Sequence, residues 1–520
     1  MKFVLIAGKK VKMALLHAGV ILVLFPAVLT QATDRPTVAL AVGSVIGKYE
    51  SVYRGSDTYR VHTYLGIPFA EPPVDSLRFE KPEPLKVLES NPYDASYYRP
   101  ICPQMQEFVA TPGTEDENCL YLNVFVPEGV PDGPDGYAVM VWVHGGGFYT
   151  GASNEYHSAY LAATGNVIVV TVNYRLGLFG FFSTSDENAP GNYGLYDQAL
   201  AFQWVHDNIP SFMGDRNRVT IFGESAGAMS VCFQGLYDKN YGRFQRIIAE
   251  SGSAFVPNVN FTLDTLMSAQ FVARSMGCMD MSSSQLLDCL REVPWQTLKE
   301  KIIELSRSPE NANLLEFVVR VDGDMLKNDL KQFPKELKDD IPDEVSFFQS
   351  LDFLSGTNQF EGGFFLPFYL GGQDLNQFFP TLDEMISTYL PIALYSSYRQ
   401  MIPEHITRTV QHEYTNWTDP YSPESIRVGF ASAIGDTVFV APSVQMAKYH
   451  LDEMRKEGKT FMYKFLPATS TRLPYTPSWL PGADHGEELF SIFSDTFATS
   501  WERTLSDHMI TYWTNFAKSG

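Results

Sequence analysis

Two hydrophobic patterns alternate along this chain, one typical of buried strands and one typical of helices. Short apolar runs between turn residues, which predict strands, cover residues 137–143, 166–174, 218–222, 351–357 and 460–466. Apolar residues at helical spacing predict helices over 195–209 (Leu195, Ala199, Phe202, Val205) and 503–518 (Leu505, Met509, Trp513, Phe516). This alternation predicts an α/β fold whose central sheet is mostly parallel, with helices on both faces.

The N-terminal segment has the layout of a secretory signal peptide. Three lysines at 9, 10 and 12 precede an apolar run over 13–29, and small residues lead to Ala32. The alternative is an uncleaved membrane anchor, for which the run is slightly short. We expect a signal peptide over 1–32, with Met13 as an alternative start. Residues 33–520 contain no repeat or long linker, and they are predicted to form a single domain.

The charge of the chain bears on its partners. The formal net charge is −21, and no long basic run occurs, so a nucleic acid is an unfavourable partner. No apolar segment beyond the N-terminal one is long enough to cross a bilayer, so no integral membrane association is expected after cleavage. The oligomeric state is not indicated by the sequence.

The cysteines and glycosylation sequons agree with an exported protein. Cys102 with Cys119, and Cys278 with Cys289, are close pairs that would each clip a short loop. Cys232 is left over and is expected to be a buried thiol. Two Asn-x-Thr sequons, at Asn260 and Asn416, are acceptor sites for N-glycosylation in a secreted chain.

The stretch "VTIFGESAGAMSV" (219–231) places Ser225 between a predicted strand and a helix-forming run. Glycines two residues on either side allow a tight strand-to-helix turn that exposes the serine hydroxyl above the sheet. Ser225 is therefore a candidate nucleophile. The bare G-x-S-x-G pattern is weak, and its alternative is a structural glycine-rich turn.

A triple glycine lies upstream in "HGGGF" (144–148), directly after the strand predicted over 137–143. Glycines without side chains let backbone N–H groups point into a cavity, which suits the stabilisation of an oxyanion. The predicted donors are Gly146, Gly147 and Ala226. A flexible loop or a phosphate cradle is the alternative, although no complete phosphate-binding motif is present.

The order serine, acid, histidine, which this arrangement requires, limits the base to five histidines after Ser225. His485 lies on the turn-rich loop "LPGADHGEELF", whereas His405, His412, His450 and His508 lie in helical or polar segments. Glu361 follows the strand predicted over 351–357 and is the candidate acid, while Asp352 lies within that strand and is less free to reach out. Ester hydrolysis by Ser225, Glu361 and His485 requires neither a metal nor an organic cofactor.

Several longer stretches resemble the type-B carboxylesterase/lipase family, which includes the cholinesterases. They are "HGGGF", "GESAG", "FEGG", "ADHGEE", "YLGIPFAEPP", "EDENCLYLNVF", "NYRLGLFGF" and "GNYGLYDQ", and they span nearly the whole chain. The resemblance implies an α/β-hydrolase fold, a serine carboxylic-ester hydrolase, and the two disulfides given above. It also implies buried ion pairs Arg78–Glu117 and Arg175–Asp197, and a shell around the histidine formed by Glu224, Ser251 and Asp436.

Within the family, "GTNQFEGG" and "TRLPYTPSWLPGADHGEELF" look most like the bile-salt-activated lipases. Glu361 is a difference from the bile-salt-activated lipases, which generally have aspartate at this position. The aromatic-rich segment 362–380, which follows Glu361, is a candidate lining for a pocket that takes apolar or lipid-like esters, and ordinary hydrophobic core is the alternative. A cholinesterase is less favoured because the loop between Cys102 and Cys119 has no tryptophan to stack a choline cation. An inactive adhesion protein like the neuroligins is disfavoured because all three triad positions are present, and a carrier of hydrophobic ligands is the remaining alternative.

Overall fold

The apolar runs lie side by side as strands of one large sheet in a computed structural model of the chain. The structure describes residues 35–520 except 106–110, 258–264, 280, 309–310, 312–314, 316, 328–342, 371–374, 378–379, 399–400, 452–456 and 474–475. The predicted signal peptide (1–32) and the sequon at Asn260 lie outside the described residues. Residues Pro36–Gly520 form one compact unit.

Nine strands of the described chain make up this sheet, and three others make a small separate one. The strands are β1 (Thr37–Leu40), β2 (Gly43–Ile46), β3 (Lys48–Arg54), β4 (Asp57–Pro68), β5 (Tyr93–Asp94), β6 (Tyr121–Pro127), β7 (Tyr137–Val143), β8 (Ile168–Val172), β9 (Gly214–Glu224), β10 (Arg246–Glu250), β11 (Asp352–Asn358) and β12 (Thr460–Phe465). The large sheet has the order β12-β11-β10-β9-β7-β8-β6-β4-β3, and β7 to β12 run parallel. The mostly parallel sheet expected from the sequence is confirmed.

Helices connect the parallel strands and cover the sheet. They are α1 (Ala159–Gly165), α2 (Gly177–Phe181), α3 (Tyr193–Asn208), α4 (Ala226–Gly235), α5 (Thr265–Ser275), α6 (Ser283–Glu292), α7 (Trp295–Ser306), α8 (Asp343–Ser350), α9 (Leu366–Tyr369), α10 (Leu382–Glu384), α11 (Leu390–Tyr398), α12 (Glu404–Tyr414), α13 (Pro423–Gly435), α14 (Ala441–His450), α15 (Leu489–Phe493) and α16 (Ser500–Ser519). Single π-helical stretches, Met385–Tyr389 and Asp436–Val440, precede α11 and α14. Both predicted helices are present, as α3 and α16.

The side chains of β7 show how the sheet divides the core. Val139, Val141 and Val143 pack into one hydrophobic cluster with residues of α3 and α4. Met140 and Trp142 point to the other face and pack with residues of α1 and α16. Because successive side chains of a strand point to opposite faces, a run that is apolar at every position must be covered on both sides.

The order of the strands fixes where a site can form. From β7 the chain passes to β8 on one side, and it then crosses to β9 on the other side of β7 before continuing to β10, β11 and β12. The crevice at the carboxyl ends of β7 and β9 is therefore a topological switch point, where ligands bind in open α/β sheets. The glycine-rich "HGGGF" follows β7, and Ser225 follows β9.

Covalent and ionic links expected from the sequence are present. Disulfides join Cys102 to Cys119 and Cys278 to Cys289, and Cys232 is a buried free thiol whose pKa is raised to about 12 by burial. Arg78 donates two hydrogen bonds to the carboxylate of Glu117, at 2.5 and 2.7 Å. Arg175 does the same to Asp197, at 2.8 and 2.7 Å. All four side chains of these ion pairs are buried.

Within the described part of the chain, no helix combines the length and the hydrophobicity that crossing a bilayer requires.

Candidate active site

Ser225 occupies a sharp turn between β9 and α4. Its φ of 56° is unusual for a residue with a side chain. Its backbone N–H donates a hydrogen bond of 2.9 Å to the carbonyl oxygen of Glu250. A β-carbon on Gly227 would lie 2.1 Å from the carbonyl oxygen of Val143, and one on Gly223 would lie 2.6 Å from the backbone of Gly227. The two glycines of the motif are therefore required by close packing of this turn against β7.

The glycine loop after β7 lies against the serine turn. A β-carbon on Gly145 would be 3.1 Å from the β-carbon of Ser225. Gly146 and Gly147 are exposed and have φ values of 102° and 64°, in the region that favours glycine. Ala226 begins α4, so its N–H has no partner within the helix. The three predicted oxyanion donors thus lie in the two segments that meet at the switch point.

Glu361 and His485 are in direct contact, although 124 residues separate them in the chain. Nδ1 of His485 lies 2.7 Å from Oε2 of Glu361. Both side chains are buried, with exposed fractions of 4% for His485 and 0% for Glu361. Glu361 lies just beyond the end of β11, and His485 lies on the loop between β12 and α15. Loops at the carboxyl ends of neighbouring strands therefore bring the two predicted partners together.

Two of the three predicted surrounding residues touch this pair. Ser251, which follows β10, donates a hydrogen bond of 2.6 Å from its hydroxyl to Oε1 of Glu361. Oε1 of Glu224 lies 3.1 Å from Nε2 of His485. Asp436 differs, because its carboxylate accepts a hydrogen bond of 2.8 Å from the hydroxyl of Tyr414. The imidazole of His485 thus lies between two carboxylates, with a hydrogen bond to Glu361 at Nδ1 and the carboxylate of Glu224 near Nε2.

This environment favours the protonated imidazole. Burial by itself lowers the pKa of His485, but the charges of Glu224 and Glu361 outweigh burial and raise the pKa to about 9. Burial and the charge of Glu361 raise the pKa of Glu224, against the opposing effect of His485, to about 7. The negative charges of the two carboxylates therefore favour the protonated form of His485.

Sequence reasoning missed further buried carboxyl groups beside the site, of which Glu488 and Glu250 are two. Glu488 is fully buried, and burial together with the charges of Glu224 and Glu361 raises its pKa to about 8. Glu250, at the end of β10, accepts a hydrogen bond of 2.9 Å from Nε1 of Trp513, and burial raises its pKa well above the usual value. The adjacent glutamates 487 and 488 directly follow the His485 loop motif in the sequence. Only the fold shows that Glu488 is the one that faces the site.

Three aromatic rings lie close to the imidazole of His485. The ring centroids of Phe439, Phe365 and Phe364 lie 4.4, 5.2 and 5.7 Å from that of His485. Phe364 and Phe365 belong to the aromatic-rich segment that the sequence associated with an apolar pocket, and both are half-buried. The described part of segment 362–380 thus includes two rings that touch the candidate base.

The rejected candidates have other partners. His450 is buried and bonds through its ring nitrogens to Thr460 and to the carbonyl of Leu351. Asp352 pairs with Arg246 at 3.3 Å and accepts a hydrogen bond from the backbone of Lys459. Among the described residues, no group of three or more His, Cys, Asp or Glu side chains is arranged to hold a metal ion.

Comparison with known proteins agrees with this geometry. The family profile described as "Carboxylesterase family" matches residues 34–520. The chain is 34% identical to carboxylesterase 1F of Mus musculus over 93% of its length and 86% of the relative. It is 35% identical to liver carboxylesterase 1 of Oryctolagus cuniculus over the same shares. It is 32% identical to "Fatty acyl-CoA hydrolase precursor, medium chain" of Anas platyrhynchos, over 94% of the chain and 85% of the relative.

Proposed function

Because the chain belongs to the carboxylesterase family, and is therefore a carboxylic-ester hydrolase, we propose that it works through an acyl-enzyme on Ser225. In this proposal His485 is the general base and Glu361 is the carboxylate that orients it. The observation that carries the proposal is the 2.7 Å hydrogen bond between Glu361 and His485, beside a serine held at positive φ at the switch point of the sheet. These are the parts that the Ser-His-acid mechanism needs.

The roles follow from the contacts of each group. Nδ1 of His485 is engaged by Glu361, so Nε2 is the nitrogen that takes the proton of Ser225 as its oxygen attacks the ester carbonyl. Nε2 already lies beside Glu224, the residue that precedes Ser225 in the chain. Nε2 then gives the proton to the departing alcohol. Water, deprotonated in the same way, cleaves the acyl-enzyme and regenerates Ser225.

Charge develops on the carbonyl oxygen during both attacks. The backbone N–H groups of Gly146, Gly147 and Ala226 are assigned to this oxyanion, because they border the serine turn and two of them lie in an exposed glycine loop. Removing one such donor typically costs about 3–4 kcal/mol of transition-state stabilisation. In the proposed series Ser225, His485 and Glu361, the last carboxylate is itself oriented by Ser251, which donates its hydroxyl hydrogen to Glu361.

We infer that the substrates are apolar esters. The rings of Phe364, Phe365 and Phe439 form an apolar wall beside His485, where an acyl or alcohol group of the substrate would lie. The name of the Anas relative, a medium-chain fatty acyl-CoA hydrolase, is compatible with a pocket for alkyl chains. The closer resemblance to bile-salt-activated lipases stays a prediction, since the relatives compared above are named as carboxylesterases and an acyl-CoA hydrolase.

We infer that the protein is secreted and glycosylated at Asn416, with Asn260 as a second predicted acceptor. The signal-like N-terminus and the two disulfides support export. Asn416 is exposed, and Thr418 of its sequon donates a 2.6 Å hydrogen bond to it. Expression of the full chain in a secreting eukaryotic cell should yield protein in the medium that shifts in mass on deglycosylation. An Asn416→Gln variant should lose part of this shift, and retention of the protein inside the cell would contradict secretion.

The proposed mechanism is tested by hydrolysis of p-nitrophenyl esters of graded chain length, with and without bile salt. We expect Ser225→Ala to abolish hydrolysis, and an organophosphate probe to label Ser225. Equal activity of the wild type and Ser225→Ala, or labelling of another residue, would overturn the mechanism. A sharp optimum at the acetate ester would contradict the apolar substrate class while leaving the mechanism in place.

A further inference from the structure

Asn358 connects the two segments that carry Glu361 and His485. It is the last residue of β11 and is fully buried. Its side-chain Nδ2 donates a hydrogen bond of 2.7 Å to the carbonyl oxygen of Asp484, and another to Oε2 of Glu488. Its backbone N–H donates a hydrogen bond of 2.5 Å to Oε1 of Glu361. One side chain thus binds the loop on both sides of His485, while its backbone binds the acid.

The orientation of the amide follows from its partners. A backbone carbonyl only accepts hydrogen bonds, so the group facing Asp484 must be the nitrogen and not the oxygen of the Asn358 amide. Glu488 lies on the same side and accepts from the same nitrogen. A residue with a side-chain NH₂ group of this length is therefore required to bind both acceptors at once.

The charge of the surroundings explains why a neutral donor is used. Glu224, Glu361, Glu488 and Asp484 all lie within the buried region around His485. Arg472 reaches the same loop but is paired with Glu487, at 2.9 Å. An aspartate in place of Asn358 would add another carboxylate to this group and would have no hydrogen to donate to the carbonyl of Asp484.

We propose that Asn358 is a positioning residue that sets the distance and the angle between Glu361 and His485. This inference rests on the proposed Ser225 mechanism. The hydrogen bond between Glu361 and His485 joins two loops, which are also linked by the backbone hydrogen bond from Phe360 to the carbonyl of Ala483, at 3.1 Å. Asn358 adds a side-chain link next to the two reacting groups, from β11, which is paired on both sides by β10 and β12. A misplacement of about 1 Å in such a site is enough to lower the rate about 100-fold.

The test compares Asn358→Ala and Asn358→Asp with Asn240→Ala in ester hydrolysis. Asn240 is a matched control because it is also fully buried and donates two hydrogen bonds from its amide, both to Gln234. We expect Asn358→Ala to lower kcat by about 10- to 100-fold with KM changed by no more than about twofold. Asn358→Asp should lower kcat further, whereas Asn240→Ala should lower Tm and leave kcat within about twofold of the wild type.

The order of the two Asn358 variants distinguishes positioning from packing. A packing role predicts that the isosteric Asp is tolerated better than Ala, and that result, or a kcat for both variants within twofold of the control, would overturn the proposal. If Asn358→Ala does not fold, the isosteric Asn358→Asp carries the test by itself. Ser225→Ala is measured alongside. Activity in Ser225→Ala would refute the mechanism, whereas an inactive Ser225→Ala with fully active Asn358 variants would refute only the inference.

Discussion

Nε2 of His485 lies 3.1 Å from Oε1 of Glu224, the residue that directly precedes Ser225. Nδ1 of the same ring is held by Glu361 at 2.7 Å. Both carboxylates favour the imidazolium, while the proposed mechanism needs the neutral imidazole to accept a proton. We therefore expect the activity to rise with pH as His485 loses its proton, and we expect the charge of Glu224 to shift the pH at which this happens.

The first prediction concerns the pH dependence of Glu224→Gln. The charge of Glu224 is the largest effect that raises the pKa of His485, so its removal should lower this pKa from about 9. His485 would then be neutral at lower pH, and the acidic limb of the profile of kcat/KM against pH should move towards neutrality. Glu404→Gln, at an exposed residue of α12 that pairs with Arg408, is the control. An unmoved limb would show that Glu224 does not set the pKa of the base.

The second prediction concerns stability and pH. The raised pKa of His485 stabilises the folded chain fully below pH 6.5, and this stabilisation is lost as the pH rises through about 9. Glu488 keeps its proton in the folded state up to about pH 8, whereas an unfolded glutamate releases it near pH 4.5. The stability that Glu488 contributes therefore decreases as the pH rises from about 4.5 to about 8. Both effects have the same sign, and Tm should decrease from about pH 6 to about pH 9.

Glu488→Gln isolates one part of this effect. Glutamine has the shape of the protonated acid and does not titrate, so the decrease in Tm from pH 6 to pH 8 should be smaller in the variant than in the wild type. Equal slopes of Tm against pH for the two proteins would mean that Glu488 does not hold a proton at neutral pH.

The third prediction uses two glycines with the same backbone strain. Gly147 and Gly55 have φ values of 64° and 62°, and a β-carbon on either would have no atom within 4 Å. Alanine at either position should destabilise the chain by about 1–2 kcal/mol, because a left-handed conformation is unfavourable for a residue with a β-carbon. Only Gly147→Ala should also lower kcat, because relief of the strain would shift a backbone N–H assigned to the oxyanion, and the complete loss of one such donor costs about 100- to 1000-fold. Similar kcat values for the two variants would contradict the assignment of Gly147 to the oxyanion site.

The fourth prediction concerns the aromatic wall. Phe364→Ala removes a half-buried ring 5.7 Å from His485, and it should reduce kcat/KM for octanoate esters about 10-fold more than for acetate esters. The reason is the lost burial of several methylene groups, each worth about 0.8 kcal/mol when fully buried. Phe461→Ala, at an exposed ring on the outer strand β12, is the control. Equal losses for short and long esters would place the acyl chain elsewhere.

The fifth prediction concerns the disulfides. Replacement of Cys102 and Cys119 by alanine should lower the free energy of unfolding by about 3 kcal/mol, because the bond closes a loop of 17 residues in the unfolded chain. Chemical denaturation of the purified variant measures this difference. Cys232→Ala, at a buried thiol without a partner cysteine, is the control and should have a smaller effect. An equal free energy of unfolding for the wild type and the variant without Cys102 and Cys119 would show that this disulfide does not stabilise the protein.

The sequence by itself determined the class of the fold and the family. The fully apolar runs over 137–143 and 166–174 have no exposed face, so they predicted strands buried between helices, and the structure confirms them as β7 and β8. The glycines around Ser225 marked the sharp turn because only glycine fits so close to β7. The serine, acid and histidine could be proposed from local patterns, since each follows a recognisable strand.

Only the tertiary structure decided which distant groups meet. β10 is a short strand whose two charged ends, Arg246 and Glu250, conceal its apolar centre, and it was not predicted. Its insertion between β9 and β11 brings Ser251 to Glu361 and places Glu250 beneath the serine turn. The resemblance to the family had implied that Glu224 and Ser251 lie around His485, but the buried position of Glu488 and the hydrogen bonds of Asn358 depend on the strand order and were not predicted. Contacts between residues more than 100 positions apart arise from the packing of the whole sheet, and no local pattern encodes them.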